Sequence, residues 1–139
     1  MTTQAIAEAV ITRAASVSGV RGSSVGFPEL LPPSPFVICG NHKAVMDVSG
    51  AFEVIVYTFP VQFFVERLGD DSETLSTLHD LIDGAIAAFR TGVTLSGTVA
   101  QTKIVRWNTD LYSEVGGSAF QHVEIFVEVR VASGHAYTA

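Results

Sequence analysis

Cysteine is nearly absent. Cys39 stands alone in 139 residues, so no disulfide closes within the chain, and a reducing compartment suits it. Preceded by Val37-Ile38, and with no activating partner nearby, it reads as a small buried hydrophobe. Charge is scarce too. Asp, Glu, Lys and Arg make up 16% of the residues, against roughly a quarter in an average globular domain. A surface this poor in charge leans toward assembly. The eight basic residues, Arg13, Arg21, Lys43, Arg67, Arg90, Lys103, Arg106 and Arg130, never cluster, and the net charge is −6. That balance excludes a basic nucleic-acid-binding face. No apolar run reaches membrane-spanning length. The first residues lack the basic region and long apolar core of a signal peptide, so the expectation is a soluble chain made where it works or released by lysis. Internal repeats and low-complexity stretches are missing, and the length fits one domain, 1–139.

What the chain does have is a long apolar block from Phe52 to Glu66. Odd positions Ile55, Tyr57, Phe59, Val61, Phe63 and Val65 are apolar, as are even positions Phe52, Val54, Val56 and Phe64. A half-buried strand alternates apolar and polar residues, whereas a strand covered on both sides reads as a continuous run. One cover is the chain's own helices; the other is expected from a neighbouring subunit. The apolar bias passes from even to odd positions, which predicts a bulge or bend near Thr58–Pro60.

Around this block, Thr2 or Thr3 caps a first helix running to about Val17, with Ile6, Val10, Ala14 and Val17 on its apolar stripe. Residues 19–35 hold Gly19, Gly22 and Gly26 and four of the five prolines, a stiff strap across the surface. Short strands are predicted at Phe36–Cys39 and Lys43–Val48. Asp70, Asp71 and Ser72 cap a second helix whose stripe is Leu75, Leu78, Ile82, Ala85, Ile86 and Phe89. A strand over Val99–Arg106 leads to a loop over Trp107–Ala119, punctuated by Asn108, Asp110 and Gly116-Gly117. The last strand alternates clearly: Val123, Ile125, Val127, Val129 and Val131 against His122, Glu124, Phe126, Glu128 and Arg130. Residues 132–139 read as a flexible tail. The fold class is therefore α+β, a mostly antiparallel sheet packed by two helices.

Catalytic chemistry finds no foothold. Gly22-Ser23-Ser24-Val25-Gly26 matches G-x-S-x-G, but a nucleophile elbow needs a strand before and a helix after, and here the order is reversed. His122 and Glu124 share a strand face, yet no third ligand has suitable spacing to them. Asp70-Asp71 is read as a helix cap before a carboxylate pair. No Gly-Lys-Ser/Thr phosphate loop occurs. Exposed aromatics are the better lead. Trp107 and Tyr112 lie in or beside the expected loop, and Phe126 interrupts a polar strand face, as contact residues do. Trp107 is equally readable as a lid on one end of the core. Phe64 is the candidate interface residue of the long block.

Taken together, several segments resemble the tail terminator family of long, non-contractile-tailed phages. They are the N-terminal helix, the P-x-x-P-F-V-I-C-G strap and strand, S-G-A-F-E-V-I-V-Y-T-F-P-V-Q-F-F-V, the D-D-S-E-T-L-S-T-L-H-D-L-I-D-G-A-I-A-A-F helix, L-S-G-T-V, and the valine-alternating last strand. The likeness spans about Thr3 to Val131. It rests on a succession of elements and not on a signature motif, so no functional residue carries over. The resemblance implies a ring, typically of six subunits, that caps the tail tube at full length and presents a surface to the head connector or neck protein. Its partners would be its own copies, the tube protein and the connector, at the tail–neck junction of a virion assembled in the host cytoplasm. No catalysis, metal or cofactor is implied. DNA would only pass through the lumen, and Glu114, Glu124 and Glu128 are the candidate acidic residues facing it. Other readings are a related neck or head–tail completion protein, or a small oligomeric enzyme or ligand-binding domain with a pocket between sheet and helices.

Overall fold

A computed structural model describes residues 2–49, 52–67, 71–91, 94–95, 101–115 and 117–136. Thr2 opens the first helix, α1 (Thr3–Ala15), its Oγ1 accepting from the Ala5 amide at 3.1 Å. That bond satisfies one of the donors a helix start leaves orphaned. Three short strands follow, β1 (Gly22–Val25), β2 (Phe36–Cys39) and β3 (Lys43–Ser49), then the long β4 (Phe52–Glu66). The second helix, α2 (Asp71–Thr91), separates them from β5 (Gln101–Val115) and β6 (Ser118–Ala136). Asp71 and Glu73 lie in the first turn of α2 and Arg90 in its last, each at the end where the helix dipole favours its charge. Asp70, Gly92 and the expected strand start at Val99 lie outside the described residues.

The strands form one open sheet in the order β1-β2-β4-β6-β5, with β3 beside β4 and in line with β2. Only β1 and β2 run parallel among the described pairs. Both helices lie on one face. Their stripes meet Tyr57, Phe59, Val61, Phe63 and Val65 of β4 and Val123, Ile125, Val127 and Val129 of β6 in the main core. Leu81 joins that core although the reading of the α2 stripe omitted it. The α+β class with two helices on a mostly antiparallel sheet is thus what the chain adopts.

The long block needs no bulge at Thr58–Pro60. Its pairing with β6 is continuous from Val54 to Glu66, and the register shift falls between Phe52 and Val54. Odd residues face the helices throughout, so the apparent change of face reflects a second, partial cover on the other side. There, Phe36, Ile38, Phe64 and Phe120 form a small core of their own, with Leu31 and Val115 packed against it. Phe36 stacks on Phe64 with centroids 4.9 Å apart, and Phe120 meets Phe36 edge-on. Such aromatic pairs add about 0.5–1.5 kcal/mol beyond their buried area. Pro60 sits where β4 changes partner, between Val61 opposite Cys39 and Thr58 opposite Lys43. Its carbonyl accepts from Gly40 at 2.8 Å, and its missing donor falls in the gap.

Three further expectations are corrected. Trp107–Ala119 is no loop: it belongs to a hairpin in which Val115 pairs with Ser118. Gly117, at φ +83°, supplies the left-handed residue such a tight turn needs. Asn108 and Asp110 mark a register irregularity, between Asn108 and Leu111, and a second lies between Ile104 and Arg106. The polar residues there signal bulges inside a strand, not its end. The final strand also runs past Val131, since Ala132 pairs with Val54 and Ala136 with Phe52. Lastly, the strap contains β1, and Ser24 sits on it donating to the Gly26 carbonyl at 2.8 Å, in no elbow.

Candidate functional site

The candidate contact residues do not gather into one patch. Phe64 is 4% exposed, held among Phe36, Phe120 and the His122 ring, which stacks on it at 4.5 Å. The second cover of β4 is therefore intramolecular at this end, and Phe64 is core. Phe126 lies on the same helix-free face, half-buried, with the Arg106 guanidinium 4.0 Å above its ring. Trp107 and Tyr112 are on β5, the edge strand, and both are exposed. They pair with Ile125 and Gln121, which puts them on the helix-bearing face. The Arg67 guanidinium lies 5.8 Å from the Tyr112 centroid.

The acidic candidates split similarly. Glu124 and Glu128 are on the helix-free face of β6, whereas Glu114 pairs with Ala119 at the hairpin end of β5. Glu124 accepts from Gln62 Nε2 at 3.0 Å. Glu128 lies between two cations, 3.7 Å from Lys103 Nζ and 3.3 Å from Arg130 Nε. The charge on this face is balanced locally.

Two unlike groups of apolar side chains reach solvent at opposite edges of the sheet. At the β1 edge are Val25, Phe27 and Leu30. At the β5 edge are Val105, Trp107 and Tyr112. Val45 and Met46 of β3 make a third exposed pair. Composition signalled such a surplus, but Leu30 and Phe27 were hidden in a segment read only as a strap.

An open groove of about 410 Å³ runs between α2 and β5, lined by Ile86, Phe89, Arg90, Gln101, Thr102, Lys103, Ile104 and Trp107. This lining has no carboxylate, thiol or imidazole; Arg90 is its cation, because Lys103 pairs opposite Glu128 and turns its ammonium to the helix-free face. Elsewhere, Ser113 Oγ lies 2.9 Å from His122 Nε2, while His122 Nδ1 and Gln121 Oε1 are buried without a hydrogen-bond partner. Burial lowers the His122 pKa. His122 and Glu124 thus engage different neighbours and do not converge on a common point. Among the described residues no group of three or more His, Cys, Asp or Glu is placed to hold a metal ion. The Cys39 thiol, fully buried, is pushed up to about 12 by desolvation. Among the described residues no helix is long and apolar enough to cross a membrane.

No protein-family model matches the chain, and no curated protein does. Among solved structures, one chain of the virion of a native gene transfer agent particle is similar, at 12% identity and a TM-score of 0.45, over 92% of this chain and 95% of that one.

Proposed function

We propose that this chain is a structural virion protein that caps a phage tail tube as a ring of identical subunits. It ends tube polymerisation and offers the surface to which the head is joined. The observation that carries this reading is the pair of unlike apolar groups at the two edges of one open sheet. A two-fold dimer buries the same patch on both subunits. Two different patches at opposite edges suit head-to-tail contacts, which close into a ring when the rotation allows. The resemblance of the sequence to tail terminators supports the same reading, and the role calls for contact surfaces in place of catalytic groups.

The test is the particle produced when the gene is deleted. Over-long tails, seen by electron microscopy and shortened again by the gene in trans, are the expected result. Tails of normal length without heads would instead assign the chain to the neck. Normal infectious particles would remove it from virion assembly.

A further inference from the structure

The stiff tip between Phe27 and Leu31 is held at both ends and leaves its middle in solvent. Phe27 meets Phe64 edge-on at 6.4 Å, and Leu31 packs against the small aromatic core. Farther along, Arg21 Nη1 donates to the Ser34 carbonyl at 3.2 Å, the Arg21 amide to the Pro35 carbonyl at 2.7 Å, and the Glu66 amide to Ser34 Oγ at 2.8 Å. Pro28, Pro32 and Pro33 restrict the backbone between these ties. Leu30 is nevertheless 87% exposed, and Glu29 beside it is exposed too. A backbone tied down on both sides of Leu30 has already lost part of the freedom that binding would otherwise cost.

At the other edge of the sheet, the α2–β5 groove has the complementary chemistry. Ile86, Phe89, Ile104 and Trp107 offer apolar wall, and Arg90 offers positive charge. We propose that Glu29-Leu30 of one copy seats in this groove of a second copy of the chain. Leu30 would meet the apolar wall while the Glu29 carboxylate lies toward Arg90. The tip covers the helix-free face and the groove opens on the helix-bearing face, so neighbouring copies overlap like shingles. That contact is heterologous and repeats around a ring. The inference rests on the ring reading above and specifies which surfaces make the ring.

Cross-linking tests it. Leu30→Cys and Trp107→Cys proteins are purified separately, mixed, and oxidised with oxidised glutathione; Cys39 is buried and stays silent. Disulfide dimers should form in the mixture and not in either protein alone. In unmodified cysteine background, Glu29→Arg should weaken self-association about tenfold, the scale of a reversed charge contact at an interface. Adding Arg90→Glu to the same chain should restore it. Both variants are at exposed positions, so circular dichroism should be unchanged. Rings seen by native mass spectrometry without the mixed disulfide and without the charge effect overturn this contact and leave the ring reading standing. Leu30→Cys dimers formed alone indicate a two-fold contact and overturn both. A chain that stays monomeric at every concentration, with no cross-link, also overturns both.

Discussion

Burial resists charge on two side chains in opposite directions. It raises the Cys39 thiol pKa to about 12 and lowers that of the His122 imidazole. Cys39 should therefore react with a thiol reagent at pH 8 only after denaturant is added; rapid modification of the folded protein would contradict its placement in the core. For His122 the sign follows from proton binding. The unfolded imidazole takes up its proton near pH 6.5, while the folded one resists it. Stability is then complete above about pH 6.5 and is lost as pH falls below that value toward the depressed folded pKa. The urea midpoint should fall between pH 7.5 and 5.5, and His122→Phe should flatten that dependence. An unchanged slope in the variant would assign the effect to other groups. Beside it, Phe64→Glu tests the small aromatic core. With Phe64 4% exposed, the change should cost no less than the roughly 3–5 kcal/mol of a core Phe→Ala truncation. Loss of folding, not a folded monomer, is expected in the far-UV signal.

At the scale of elements, the hairpin of β5 and β6 shows where sequence reading succeeds and where it stops. The alternation from Val123 to Val131 reports burial directly, because β6 lies between β4 and β5 and its odd residues meet the helices. β5 is an edge strand interrupted by two register shifts, and most of its outward residues are exposed. Its alternation is broken twice, so Asn108, Asp110 and the glycines read as a loop. The short β1 was concealed for a related reason: four residues leave too little periodicity beside glycines and prolines. The contact residues were legible by type but not by place. Nothing in the spacing of Phe64 tells that Phe36 and Phe120 cover it within the same chain. Two measurements follow from the hairpin. Gly117→Ala places a Cβ at φ +83° and should cost about 1–2 kcal/mol, read as a lower thermal midpoint. Hydrogen exchange should show protected amides in β5 where it pairs with β6, with faster exchange at Val105 and at residues 109–110, which have no partner in the register. Uniformly fast exchange from Trp107 to Val115 would restore the loop.

At the scale of the whole molecule, charge decides what the proposed lumen does to DNA. The net charge is −6, yet on the helix-free face Glu128 is engaged by Lys103 and Arg130, and Arg106 lies over Phe126. A face of this kind neither repels a polyanion strongly nor holds it. If that face lines the channel, DNA passes because its carboxylates offset nearby cations, and removing them should create binding. The purified protein should show no duplex retention at low salt, where electrostatic attraction is greatest. Glu124→Gln with Glu128→Gln leaves Lys103, Arg106 and Arg130 without those neighbouring charges. The double variant should retain duplex DNA at low salt. Log affinity should then fall against log salt with a slope of about −2 to −3, from about 0.9 per neutralised phosphate. Glu114→Gln, at the hairpin end on the other face, should change nothing. Tight, salt-sensitive binding by the unmodified protein would reject the proposed passage role, and an equal gain from Glu114→Gln would show that net charge, not this face, sets the effect.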